Sequence, residues 1–109
     1  MKANATRRPN KVEANLAPIL EREEPNCWKY VGDGSFWIEG KNPDFINVNG
    51  KKQVIELFGE RWHDVDEPQL RIDLFARYGF KTLIIWVNEL RDISKVTSRI
   101  RDFVNERNE

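Results

Sequence analysis

Residues 81–87, KTLIIWV, constrain the fold more than any other stretch of this chain. The run is apolar at odd and even positions alike. A strand built from it has no face to give to water, so it must lie within a sheet covered on both sides. A helix is predicted just before it. Asp66 stands at the N-cap, Pro68 lies in the first turn where a missing N–H does no harm, Leu70, Leu74 and Tyr78 share one stripe, and Gly79 ends the helix. Before that helix comes a further apolar strand, KQVIELF at 52–58. Strand, helix and buried strand in succession predict a right-handed parallel crossover.

The rest of the chain completes the sheet and its covering layers. Residues 1–9 read as a polar arm or linker. Asn10 is positioned to cap a helix whose apolar stripe is Val12, Leu16, Ile19 and Leu20, ending before Pro25. CWKYVG, SFWIEG and DFINVN follow as short strands separated by DG, KNP and NG turn signals, so with KQVIELF they predict an antiparallel meander. A last helix carries Val96, Ile100, Phe103 and Val104 on one side. The predicted order is α-β-β-β-β-α-β-α, an α/β or α+β domain over residues 10–109 with a mixed central sheet flanked by helices.

Several function classes are excluded by what the chain lacks. At 109 residues it has room for one core, and no apolar run approaches the ~20 residues of a membrane span. The start has no signal-peptide pattern, which predicts a cytoplasmic protein without membrane contact. With one cysteine, Cys27, and one histidine, His63, the chain can build neither an internal disulfide nor an ordinary structural zinc site. Any metal is therefore expected to be a hard cation on oxygen ligands, such as magnesium. Basic and acidic side chains balance at 18 each, against the basic excess usual in a free-standing nucleic-acid binder. Lys2, Arg7, Arg8 and Lys11 cluster at the start, and Lys51, Lys52 and Arg61 flank the stretch VIELFGERWHD.

That stretch and its surroundings hold the residues suited to chemistry. Glu56 shares a strand face with Val54 and Phe58, so a carboxylate points where apolar groups belong. It requires a cation, a hydrogen-bond partner or a cleft, and an ion pair with a nearby lysine is the plain alternative. Asp44 opens a strand after Pro43. Glu13 lies three residues after Asn10, the spacing of a capping box, and it also borders the apolar stripe of its helix. His63 is either a structural imidazole held by a backbone carbonyl or a base whose tautomer Asp64 sets. Together these groups offer carboxylates for a hard ion and an imidazole for a water, an inventory suited to metal-assisted phosphodiester hydrolysis.

The elements NPDF, VIELFGERWHD and LFARYGFKTLIIWVNEL, preceded by the helical Glu13, resemble the very-short-patch repair endonuclease superfamily of the PD-(D/E)xK, restriction-endonuclease-like fold. More specifically, the chain is similar to nuclease domains of phage and intron homing endonucleases with the motif E-D-x-H-D. The resemblance covers about residues 10 to 104. It implies a magnesium-dependent DNA endonuclease, with manganese as the substitute ion. Carried over residue by residue, Glu13, Asp44, His63 and Asp64 match the catalytic motif. Asp44 would bind the metal, helped by the Leu57 carbonyl or by Glu56, and His63 would act as general base. Lys51, Lys52 and Arg61 are the expected DNA contacts, with simple solvation as their alternative. Double-stranded DNA, a separate DNA-recognition domain and a transient homodimer are the implied partners.

The chain departs from the pattern in four places. Phe58 stands where the wider fold places a charge-stabilising lysine, the repair enzymes' structural zinc site is missing, their mismatch-reading aromatic wedges are not evident, and Val87 replaces an acid although Glu89 remains. The homing type is therefore the nearer relative and a mismatch-repair nickase the more distant one. The competing expectations are a non-catalytic DNA-binding module on the same fold and a nuclease directed at RNA or branched DNA.

Overall fold

The computed structural model describes residues 11–59 and 66–106. The chain runs α1 (Lys11–Glu23), β1 (Trp28–Tyr30), β2 (Phe45–Asn47), β3 (Gln53–Phe58), α2 (Glu67–Ala76), β4 (Lys81–Trp86), a short 3-10 helix (Val87–Arg91) and α3 (Ile93–Val104). The strands form one sheet in chain order. β1 and β2 pair antiparallel, as do β2 and β3, whereas β3 and β4 pair parallel from Gln53–Lys81 to Phe58–Trp86. This is the mixed, helix-flanked sheet expected for the class.

The covering layers follow from strand alternation. Ile55 of β3 and Leu83 and Ile85 of β4 pack with Phe45 against the buried stripes of α1 (Leu16, Ile19, Leu20) and α3 (Val96, Ile100, Phe103, Val104). On the opposite face Val54 meets Phe75 of α2 and Ile38, with Ile46, Leu74 and Phe80 packed around them. The both-faced burial of KTLIIWV is thus explained by helices on the two sides of the sheet. Cys27 is a free, buried thiol.

Two expectations are corrected. SFWIEG forms no strand of the sheet. Instead it closes on itself through the isolated bridge Ile38–Lys41, with backbone bonds of 2.8 and 2.9 Å. Glu39 (φ 51°) and Gly40 (φ 77°) form the tight turn of that bridge, the positive pair a two-residue hairpin demands. The Asn42 side-chain amide donates to the Val31 and Phe36 carbonyls, each at 2.7 Å, doing for this loop what a ladder would do for a strand. The second correction concerns α2. Leu70 is 65% exposed and Tyr78 43%, while Phe75 is fully buried. The face turned to the sheet is therefore centred on Arg71 and Phe75, and of the expected stripe Leu74 alone packs there. Asp66 holds the N-cap position without a side-chain capping bond, Pro68 lies in the first turn, and Gly79 follows at φ 86° as the stop.

Candidate active site

Asp44 is pinned at the entrance to β2. Its backbone carbonyl accepts from the Val31 and Gly32 N–H groups at 2.8 and 3.1 Å, and its Oδ2 accepts from the Leu57 N–H at 2.8 Å. Phe45 pairs with Ile55, so the antiparallel register sets Asp44 beside Glu56. Glu56 is 2% exposed, on the side of β3 that faces α2. Glu13, 5% exposed, lies in the first turn of α1 and is hydrogen-bonded to Asp44. Three carboxyl groups from a helix, a strand entrance and a strand interior are thereby linked. The capping alternative for Glu13 involves Asn10, which lies outside the described residues.

Crowding and burial show in the proton affinities. Burial pushes Asp44 up to about 6, against the Leu57 N–H, which pulls it down; the Glu13 charge pushes the same way as burial. Burial and then the Asp44 charge push Glu56 up to about 8, against the pull of Arg71. The two carboxyls share a hydrogen bond. Near neutrality the pair therefore keeps a proton between its members.

The cation facing Glu56 is Arg71 of α2, whose Nη1 donates to Glu56 Oε2. The alternative read from sequence paired Glu56 with a lysine, and the arginine was missed. The signal was present: a buried acid on β3 needs a cation, the crossover helix covers that face, and Arg71 lies one turn before Phe75. Reading the stripe as Leu70, Leu74 and Tyr78 hid it.

The remaining expected residues are dispersed. Lys51 pairs with Glu24 at 2.6 Å and also donates to the Val104 carbonyl, tying the start of β3 to the ends of α1 and α3. Lys52 donates to the Tyr78 carbonyl at 2.8 Å and lies 4.8 Å from the Phe80 ring centroid. Both precede β3, whereas Glu56 lies toward its far end. Arg61, His63 and Asp64 lie outside the described residues. Glu89 accepts from the Trp86 N–H at 2.9 Å and from Arg99 Nη1 at 2.6 and 2.7 Å. Burial pulls its carboxyl up, but these donors hold it below its ordinary range. Its visible role is to cap the 3-10 helix.

The carboxyl groups of Glu13, Asp44 and Glu56 are oxygen donors of the kind a hard divalent cation takes, with Arg71 already holding Glu56. In a strand the N–H and C=O of one residue point to the same edge. The Leu57 carbonyl therefore faces the edge from which its N–H reaches Asp44. Among the described residues no three His, Cys, Asp or Glu side chains are arranged to hold a metal ion.

No family model matches the sequence, and no curated protein matches it. Among solved structures, the chain is similar to "Homing Endonuclease I-Bth0305I Catalytic Domain", at 25% identity and a TM-score of 0.65. The likeness covers 84% of this chain and 91% of that one. It bears out the fold class expected from sequence.

Proposed function

We propose that this chain is the catalytic domain of a magnesium-dependent DNA endonuclease of the homing type, within the very-short-patch-repair-like group. The carrying observation is the likeness to a homing endonuclease catalytic domain over nearly that domain's whole length, which supports a nuclease function. The linked acids Glu13, Asp44 and Glu56 lend support, because a buried carboxyl cluster is costly to keep unless it has a task.

In this reading Asp44 and Glu13, completed by the Leu57 carbonyl or by Glu56, would hold magnesium, or manganese in its place. An ion held by these residues would supply Lewis-acid polarisation of a phosphoryl oxygen and charge neutralisation at the leaving oxygen. His63 takes the proton of the attacking water, and Asp64 holds the imidazole in the tautomer that can accept it. The Leu57 N–H keeps Asp44 aimed. Arg61 contacts phosphates directly, and Lys51 and Lys52 do so where they can exchange their protein partners for DNA. Affinity comes from a separate recognition domain, and a double-strand break requires two sites, supplied by a transient symmetric dimer.

Nicking of supercoiled plasmid with magnesium tests the reading. The parent chain should convert plasmid, and Asp44→Ala and His63→Ala should each lose at least ~100-fold. If the parent stays inert when fused to an unrelated DNA-binding domain, the nuclease reading fails and a binding module takes its place.

A further inference from the structure

We infer that the outer edge of β4 is a strand-addition site whose occupant is the same edge of a second copy of this chain. The inference rests on the nuclease reading above, since it supplies the transient dimer proposed there with a surface. β4 stands last in the sheet order, so one of its sides has no neighbouring strand among the described residues. The run that is apolar on both faces thus lies at the rim of the sheet, where natural chains place charges, prolines or bulges to block further pairing. Here the register with β3 is unbroken, and the strand's single charge, Lys81, stands at its start.

The Lys81 N–H donates to the Lys52 carbonyl at 2.9 Å. Lys81, Leu83 and Ile85 therefore turn their backbone groups to β3, and Thr82, Ile84 and Trp86 turn theirs outward. Side chains close the far half of that edge. The Ile84 carbonyl accepts from Arg99 Nη2 at 3.0 Å, and the Trp86 N–H donates to Glu89 Oε2 at 2.9 Å. The near half is open. Neither the N–H and C=O of Thr82 nor the N–H of Ile84 has a partner among the described residues, and the Thr82 hydroxyl is buried without one as well.

An added strand continues the sheet between the layer of α2 and that of α1 and α3, so it must be apolar on both faces. β4 itself meets that requirement. A two-fold axis through Leu83 sets Thr82 of each copy opposite Ile84 of the other, where the paired residues exchange N–H and C=O. A carbonyl takes two donors, so Arg99 can stay on Ile84. Lys81 falls opposite Ile85, and no like charges meet. The six-residue edge is about 20 Å long, which falls short of the ~800 Å2 per partner of stable complexes and makes the pair transient. Asp44 and Glu56 belong to the inner strands and stay uncovered.

Sedimentation of the unmodified chain up to about 1 mM should show a reversible dimer. T82P removes an N–H that β3 does not use, once in each copy, and should weaken association at least ~10-fold. Amide exchange needs no variant: Thr82 and Ile84 should gain protection as concentration rises, while Leu83 and Ile85, already held by β3, change little. For register, L83C places its two Cα atoms ~4.5 Å apart, within disulfide range, so oxidation should link the copies; K81C, displaced by ~13 Å along the strand, should stay unlinked. Equal linking of both overturns the pairing. A chain that is monomeric throughout, or a dimer whose Thr82 and Ile84 amides do not respond, overturns the inference and leaves the nuclease reading standing. A dimer that protects this edge but cleaves nothing, even fused to an unrelated DNA-binding domain, sinks the nuclease reading alone.

Discussion

Asp44 and Glu56 hold protons more tightly in the folded chain than an unfolded carboxyl does, at about 6 and about 8. Between the ordinary carboxyl range and those values the native state binds more protons than the unfolded one. Stability of the metal-free chain should therefore fall as pH rises through that window. Asp44→Asn removes one of the two repelling charges and keeps an oxygen for the Leu57 N–H. It should stabilise the metal-free protein at pH 8.5 by on the order of 2 kcal/mol, little at pH 3.5, and abolish cleavage. Thermal unfolding at the two pH values checks the sign. A cation entering the cluster must displace the shared proton, so Mg2+ affinity should climb by up to ~10-fold per pH unit below the upper value, measurable by calorimetry in buffers of different ionisation heat. Glu56 stood out in sequence because a carboxylate on an apolar strand face violates the pattern around it, whereas Asp44 was singled out through the family resemblance. Arg71 was not, because nothing local to it marks a charge that only a distant strand can satisfy.

At the scale of elements, α2 shows how a correct helix can carry a wrong face. Leu70, Leu74 and Tyr78 recur at the right interval, yet the neighbouring stripe through Phe75 holds the larger ring and meets Val54. Phe75→Ala should cost ~3–5 kcal/mol in denaturant unfolding, whereas Leu70→Ala should stay within about 0.5 kcal/mol. The reverse order would restore the stripe expected from sequence. SFWIEG was misread for a related reason: alternating apolar residues suit a strand, but the segment contains its own turn, and strand status requires a neighbour that sequence does not name. α1, α3 and the buried β4 were legible because each has a strong apolar pattern bounded by a stop signal.

At the scale of the whole molecule, the balanced charge and the docked lysines bear on DNA affinity. Lys51 is held by Glu24 and the end of α3, and Lys52 by the end of α2. The chain alone should accordingly bind DNA weakly, with a logarithmic salt slope no steeper than about −3, the mark of roughly three neutralised phosphates. Filter binding over a salt series checks this, and a slope beyond −6 would reveal a basic surface that the docked lysines conceal. The parallel pairing was legible from the succession of KQVIELF, a helix and KTLIIWV, because a run apolar on both faces needs a sheet covered on both sides.

The site also has a chronology. Asp44, Glu56 and Leu57 all belong to the short antiparallel excursion from β2 into β3, whose ends meet after a brief loop. Arg71 reaches them only after the chain has crossed over and β4 has closed alongside β3, a pairing that joins Gln53 to Lys81. Near contacts form before remote ones. On contact order the acids would assemble first, and the arginine that pairs with Glu56 would join as the sheet closes, so that the act that finishes the fold would also finish the electrostatics of the site.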